Sequence, residues 1–140
     1  MNQKTMFSTG NDDWETPLEL FKRLDDEFHF TLDPCCSVNT AKCRKFYTEA
    51  EDGLKQNWAG ETVFVNPPYS LKSQNDWVKK CYEESKKPDT KVVALLPART
   101  DTQRFHKWIY HKAKIRFIRG RIKFVGAEHG APFPSMIVIW

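Results

Sequence analysis

Four consecutive residues, Asn66-Pro67-Pro68-Tyr69, hold the most distinctive chemistry in this chain of 140 residues. They directly follow Thr62-Val63-Phe64-Val65, a β-branched and aromatic run that reads as a strand, and the two prolines forbid its continuation. Ligands of parallel sheets collect outside the carboxyl ends of the strands. At such an end an asparagine offers a side-chain carbonyl, and a proline offers a backbone acceptor with no donor. The product is a rigid pair of acceptors beside an aromatic face. Such a pair suits methyl transfer to a conjugated exocyclic amine such as adenine N6, whose lone pair is delocalised into the ring. The Asn66 side-chain oxygen and the Pro67 carbonyl would hold the two N–H bonds and favour a pyramidal nitrogen. That nitrogen could then attack a methyl sulfonium in line, with positioning supplying much of the catalysis. An Asn-Pro dipeptide also makes an ordinary turn. The strand before it and the helix after it favour the acceptor reading.

The loop needs a sheet to carry it. Thr16 supplies an N-cap hydroxyl and Pro17 a first helical position. Leu20, Phe21, Leu24 and Phe28 recur at helical spacing, so residues 17–27 are predicted to be a helix. Residues 29–32 read as a short strand ended by Pro34, which leaves Asp33 at its carboxyl end. A short helix is expected over residues 39–45, and turns around Asp52-Gly53. Residues 70–87 form a helix with Trp77, Val78, Cys81 and Tyr82 on one face, and residues 91–96 a buried strand stopped by Pro97. A helix over 102–112 and strands over 115–118, 122–125 and 135–140 follow, the first two strands paired through a turn at Gly120. Residues 1–13 are polar and aperiodic and read as a flexible arm before a single domain over 14–140. Strand and helix alternate before the terminal strands. That order predicts an α/β fold, a mostly parallel sheet flanked by helices with an antiparallel strand near the C-terminus.

Composition narrows the class. Apolar residues make up 40% and aromatic residues 14% of the chain, enough for one packed core. No apolar run approaches the roughly 18 residues that span a bilayer, and residues 1–13 lack a signal-peptide layout, so a soluble intracellular protein is expected with no membrane partner. Cys35, Cys36, Cys43 and Cys81 form no zinc-like spacing and read as buried free thiols. No metal is expected, and His106, His111 and His129 read as surface or structural residues. The net charge of +4 conceals an asymmetry. Residues 1–70 hold 7 Lys and Arg against 12 Asp and Glu, whereas residues 71–140 hold 15 against 6. The basic half suggests a polyanionic partner, with Arg99, Arg104, Arg119, Arg121 and Lys123 as phosphate contacts. A solvated basic surface is the plainer alternative.

Several short motifs stand in one order: Trp14-Glu15-Thr16-Pro17, Leu32-Asp33-Pro34, Asp52-Gly53-Leu54 with Trp58, Val65 to Tyr69, Leu96-Pro97-Ala98, and Arg119-Gly120-Arg121 with Phe124. In this they resemble the phage-type DNA N6-adenine methyltransferases over nearly all of residues 14–140. The resemblance implies a class I methyltransferase (Rossmann-like) sheet, S-adenosylmethionine as cofactor, double-stranded DNA as partner and, for a phage-encoded enzyme, the host cytoplasm. It implies that Thr16 and Pro17 border the methionine end of the cofactor, with Asp33 and Pro34 at the end of the first strand. Asp52 and Leu54 would flank the cofactor's adenine. Asn66, Pro67, Pro68 and Tyr69 would be the catalytic loop, with Asn66 also touching the cofactor. Tyr69 would stack on a flipped adenine, and Phe124 would close over it. Read without the family, Asp33 and Asp52 are also ordinary cap or turn residues and Phe124 an ordinary core aromatic. One feature departs from the wider fold: no glycine-rich turn follows Asp33.

Two rival functions share parts of this pattern. A methyltransferase acting on an RNA base or a protein glutamine would use the same loop, although the basic C-terminal half disfavours a protein substrate. A non-catalytic nucleic-acid-binding module on the same fold would have no need of an amine-polarising acceptor pair.

Overall fold

The computed structural model describes residues 14–140, so the arm expected over residues 1–13 lies outside the described residues. One six-stranded mixed sheet organises the chain. Its strands are β1 (Leu32–Asp33), β2 (Lys45–Phe46), β3 (Thr62–Val65), β4 (Lys91–Pro97), β5 (Lys114–Phe117) and β6 (Ser135–Ile139), in the order β2-β1-β3-β4-β6-β5. The first four run parallel. β6 pairs antiparallel with both β4 and β5.

Alternation along the strands builds a core on each face. Val63, Val65, Val92, Ala94, Leu96, Met136 and Val138 point to one side. They meet Trp77, Val78 and Cys81 of helix α2 (Leu71–Ser85) there. Phe64, Val93, Leu95, Ile137 and Ile139 point to the other side, where Phe21 and Leu24 of helix α1 (Leu18–Phe28) cover them. This period of two is what strand geometry imposes on a sheet buried on both faces.

The topology places the site. After β1 the chain steps outward to β2 and then returns to the opposite side of β1 as β3. The reversal leaves a crevice at the carboxyl ends of β1 and β3, where ligands of open α/β sheets bind. Asp33 ends β1 and Asn66 follows β3, so both side chains stand at that crevice.

Several local expectations are corrected. The N-cap of α1 is Pro17, with no side-chain cap, and the Thr16 hydroxyl is engaged elsewhere. The first strand starts later than expected because His29 closes α1 in a left-handed conformation and the Asp25 carboxylate takes the Phe30 N–H at 2.9 Å. Residues 39–45 do not form a helix. Ser37 and Thr40 close a hydrogen-bonded turn, and the chain then enters β2. The helix expected over 102–112 shrinks to a π-helical turn, Phe105–Ile109. Residues 122–125 are not a strand. β5 pairs instead with the fully buried β6, and Ile122 and Phe124 turn inward into the second core.

The connection from β2 to β3 is pinned by a buried carboxylate. Glu84 is 4% exposed; it accepts the Trp58 backbone N–H at 2.6 Å and pairs with Lys80 at 3.1 Å and Lys87 at 2.7 Å. The Trp58 indole N–H donates to the Gly53 carbonyl at 3.1 Å. Glu84→Ala leaves the Trp58 N–H without an acceptor in the core, a loss expected to cost about 2–4 kcal/mol. Urea unfolding should show a lower midpoint at an unchanged slope, and Glu84→Gln should lose less.

Candidate active site

At the switch point lies a cavity of about 760 Å³, within the usual range for small-molecule sites. Its wall includes Thr16, Asp33, Pro34, Asp52, Leu54, Asn66, Pro67 and Pro68. Residues from four separate sequence motifs therefore meet in one space. Pro17, Tyr69 and Phe124 lie outside the lining.

Asn66 shows the most informative geometry. Its amide nitrogen donates to the Trp14 carbonyl and, at 3.0 Å, to the Thr16 hydroxyl oxygen. The Trp14 carbonyl sets which end of the amide faces it, because it would repel the Asn66 oxygen, and the Thr16 hydroxyl holds the amide in plane. Its Oδ1 is consequently turned away from them, and it is buried with no hydrogen-bond partner. Leaving such an acceptor unpaired costs about 1–3 kcal/mol. A ligand donor would recover that cost. Gln74, 1% exposed on the first turns of α2, donates to the Pro68 carbonyl at 2.9 Å and ties the loop down. Among the described residues, no protein group donates to the neighbouring Pro67 carbonyl.

Tyr69 leaves the cavity and enters an aromatic group. Its ring centroid lies 5.1 Å from Phe133, 6.1 Å from Phe124 and 6.4 Å from Trp14. Burial raises its phenol above the ordinary range, and the hydroxyl has no partner. Phe124 is 2% exposed and meets Tyr69 at 84°, so it props the tyrosine edge-on and does not face it across a gap wide enough for a base.

Asp33 is 3% exposed and accepts backbone N–H groups from Lys42 at 2.9 Å and Cys35 at 3.3 Å. Burial raises its carboxyl to about 6, with these hydrogen bonds pulling less strongly the other way. The Lys42 ammonium reaches across to Glu15 at 2.8 Å. Asp52 has a positive φ of 57° and accepts the Leu54 N–H at 3.1 Å. Gly53 is required by close approach: a Cβ there would lie 2.0 Å from the Pro34 carbonyl oxygen. Of the four cysteines, all free, only Cys81 is buried; Cys35 and Cys36 line the cavity. Glu15, Asp33, Glu49 and Asp52 outnumber the single lining base, Lys42, which makes the cavity suited to a cationic ligand.

The basic residues divide by position. Arg99 follows β4, while Arg119, Arg121 and Lys123 lie between the end of β5 and the start of β6, so all four stand at the same end of the sheet as Asn66 and are exposed. Arg99 lies over the Phe133 ring at 5.7 Å, and Arg121 donates to the Ala131 carbonyl at 3.3 Å. Arg104 is 5% exposed and donates to Asn75 at 3.1 Å, which makes it a structural residue, unavailable to a phosphate without rearrangement. Lys86, Lys91, Lys112 and Lys114 lie near the opposite end of the sheet. Sequence reasoning missed Gln74 as well as the Glu15–Lys42 pair. A glutamine three residues before Trp77 on an apolar helical face is the signal that could have revealed the former.

A family profile described as DNA N-6-adenine-methyltransferase (Dam) matches residues 3–140. The chain belongs to this family. Two relatives named DNA N-6-adenine-methyltransferase are similar to it. The one from Haemophilus phage HP1 (strain HP1c1) is 27% identical over 148 aligned positions, covering 100% of this chain and 84% of the relative. That from Escherichia phage T1 is 29% identical over 134, covering 84% of this chain and 55% of the relative. Among the described residues of this family member, no helix is long and apolar enough to cross a membrane, and no group of three or more metal-ligating side chains is gathered.

The pH response of the cavity follows from Asp33. Its folded value lies above the ordinary aspartate value of 3.8, so its contribution to stability is present below about pH 4 and is lost as pH rises through about 6. Attraction for a cation runs the other way, since only the carboxylate supplies it. Calorimetry should find a cationic ligand of the cavity bound about fourfold more weakly at about pH 5.5 than at about pH 7.5. Asp33→Asn should bind weakly at both values and melt below wild type, because its amide nitrogen cannot accept one of the two backbone N–H groups that the carboxylate takes. Equal pH dependence in the two proteins would dissociate Asp33 from the effect.

Proposed function

We propose that this chain transfers a methyl group from S-adenosylmethionine to the N6 amine of an adenine extruded from double-stranded DNA, at a specific sequence. The observation that carries the reading is the buried, unpartnered Oδ1 of Asn66, with Asn66 and Pro67 both on the cavity wall. Family membership and the names of the two phage relatives support the same substrate. The strand order with its antiparallel β6 supports a class I methyltransferase arrangement, carried by one domain over residues 14–140.

The residues at the cavity fit the cofactor. Asp33 and Asp52 offer carboxylates to a cationic, hydroxyl-rich ligand, while Pro34, Leu54 and Trp77 provide apolar wall for an adenine ring. Thr16 and Asn66 border the other end, and Pro17 stands just behind Thr16 at the start of α1. When bound, S-adenosylmethionine supplies a methyl group activated by a sulfonium. The chain's own contribution is orientation and charge stabilisation. Asn66 Oδ1 and the Pro67 carbonyl each accept one N–H of the target amine, which holds the nitrogen pyramidal with its lone pair toward the cavity. As that nitrogen takes the methyl group from the sulfonium and becomes cationic both hydrogen bonds strengthen, so they stabilise the transition state more than the ground state, and the nitrogen then releases one proton to water. Pro68, locked by Gln74, keeps the loop rigid.

Extruding a base costs a few kcal/mol of stacking and pairing. Tyr69, propped by Phe124 and Phe133, provides an aromatic face next to the acceptors that offsets part of this cost. Arg99, Arg119, Arg121 and Lys123 ring the same end of the sheet and hold the phosphates around the target. Sequence selectivity then falls to the loops over residues 99–107 and 126–134.

Incubation with duplex DNA and isotopically labelled S-adenosylmethionine should yield labelled N6-methyladenine by mass spectrometry of the digested nucleosides. Asn66→Ala should slow single-turnover methylation by roughly 10²–10³-fold while cofactor affinity stays near wild type. A rate within about tenfold of wild type would remove the proposed role. Tyr69→Phe should retain far more activity than Tyr69→Ala, and a mismatch opposite the target should partly rescue the alanine variant. Equal inactivity of the two variants would point to the hydroxyl and away from the ring.

A further inference from the structure

We propose that Thr16 is a positioning residue for methyl transfer, acting through Asn66 by fixing the plane of its amide, so that the Oδ1 which the Trp14 carbonyl turns outward stays aimed at the target amine. The inference rests on the function proposed above and deepens it. A primary amide is nearly symmetrical in shape, and a half turn about its last torsion exchanges oxygen and nitrogen. Reversed, Asn66 would present N–H donors to an amine that itself donates, and the acceptor pair would be lost.

The structure holds the amide nitrogen at two points: the Trp14 carbonyl, which can only accept, decides which end of the amide faces it, and the Thr16 hydroxyl fixes the plane in which the amide lies. The Trp14 carbonyl accepts one N–H, and the Thr16 hydroxyl oxygen accepts the other at 3.0 Å. Thr16 is 1% exposed, so water does not readily replace it as an acceptor. Nor is the hydroxyl needed to start the helix, because α1 is capped at Pro17 without a side-chain hydrogen bond. The segment carrying Thr16 is itself anchored across the site. The Glu15 carboxylate pairs with Lys42, whose backbone N–H donates to Asp33, and the Glu15 carbonyl accepts the Val125 N–H at 3.1 Å. Removing the Thr16 oxygen strands a buried N–H and loosens the amide about its last torsion, although the Trp14 carbonyl still selects its nitrogen end. A serine retains the oxygen, while a valine replaces it at almost constant volume.

The test compares Thr16→Val and Thr16→Ser with wild type in three measurements. Single-turnover methylation at saturating S-adenosylmethionine should fall roughly tenfold in the valine variant and recover to within about threefold in the serine variant. Thr16 also borders the cofactor, so calorimetry should find the dissociation constant for S-adenosylmethionine raised by less than the saturated rate falls in Thr16→Val, and within about threefold of wild type in Thr16→Ser. In cofactor-free protein labelled with ¹⁵N-asparagine, the side-chain amide protons of Asn66 should shift and exchange with water faster in Thr16→Val but not in Thr16→Ser. A loss of cofactor affinity with an unchanged rate at saturation would make Thr16 a cofactor ligand and overturn the proposal. Unchanged Asn66 amide signals in a folded valine variant would overturn it as well. Wild-type protein that methylates no DNA would refute the functional reading itself, and the cofactor-free spectra keep that outcome separate, since they report the Thr16–Asn66 contact whatever the substrate.

Discussion

The site depends on the orientation of a single amide. Asn66 follows a buried parallel strand, so its backbone is set by the ladder between β3 and β4, but the ladder says nothing about which end of the side chain faces the cavity. That choice is made some fifty positions earlier in the chain by the Trp14 carbonyl, and the Thr16 hydroxyl takes the second proton of the amide nitrogen and holds its plane. The buried oxygen left without a partner is a cost the fold carries, and such costs are usually retained where a ligand offsets them. Several neighbouring contacts support this arrangement. Gln74 holds Pro68, Lys42 joins the Asp33 turn to Glu15, and Val125 holds the Glu15 backbone from the far side.

Electrostatics separates the two proposed ligands. The cavity wall carries four carboxylates against one paired lysine, whereas the loops that follow β4 and β5 expose Arg99, Arg119, Arg121 and Lys123. A cationic cofactor and a polyanionic duplex would therefore be drawn to adjoining but opposite fields, with the Asn66 loop between them. Burial of Asp33 moderates the acidic side by raising its carboxyl to about 6, so its charge depends on pH close to the neutral range.

Much of this was legible in residue order. The β-branched run ending at Asn66-Pro67 announces a strand and a loop of acceptors, and the alternation of strands and helices announces an α/β sheet. The motif series before and after the loop points to the family. What failed to show were features that depend on distant partners. Thr16 has the local look of a helix cap, yet its hydroxyl goes to Asn66, since a buried amide nitrogen competes for it. Residues 122–125 have strand composition, but the more buried β6 offers β5 a better partner, and Ile122 and Phe124 gain more by turning into the core. Gly53 reads as a turn glycine, whereas the approach of the Pro34 carbonyl is what excludes a side chain there. Residue order shows that the C-terminal half is basic but not that the sheet distributes this charge between its two ends.

The central claim is that Asn66 Oδ1 and the Pro67 carbonyl together receive the exocyclic amine of an extruded adenine. A crystal structure of the protein with the demethylated cofactor product, S-adenosylhomocysteine, and duplex DNA tests it most directly. The account predicts the adenine N6 at hydrogen-bonding distance, about 2.7–3.2 Å, from both oxygens, with the Asn66 amide nitrogen still on Trp14 and Thr16. An adenine amine bound elsewhere, or an Asn66 amide reversed so that its nitrogen faces the base, would contradict it.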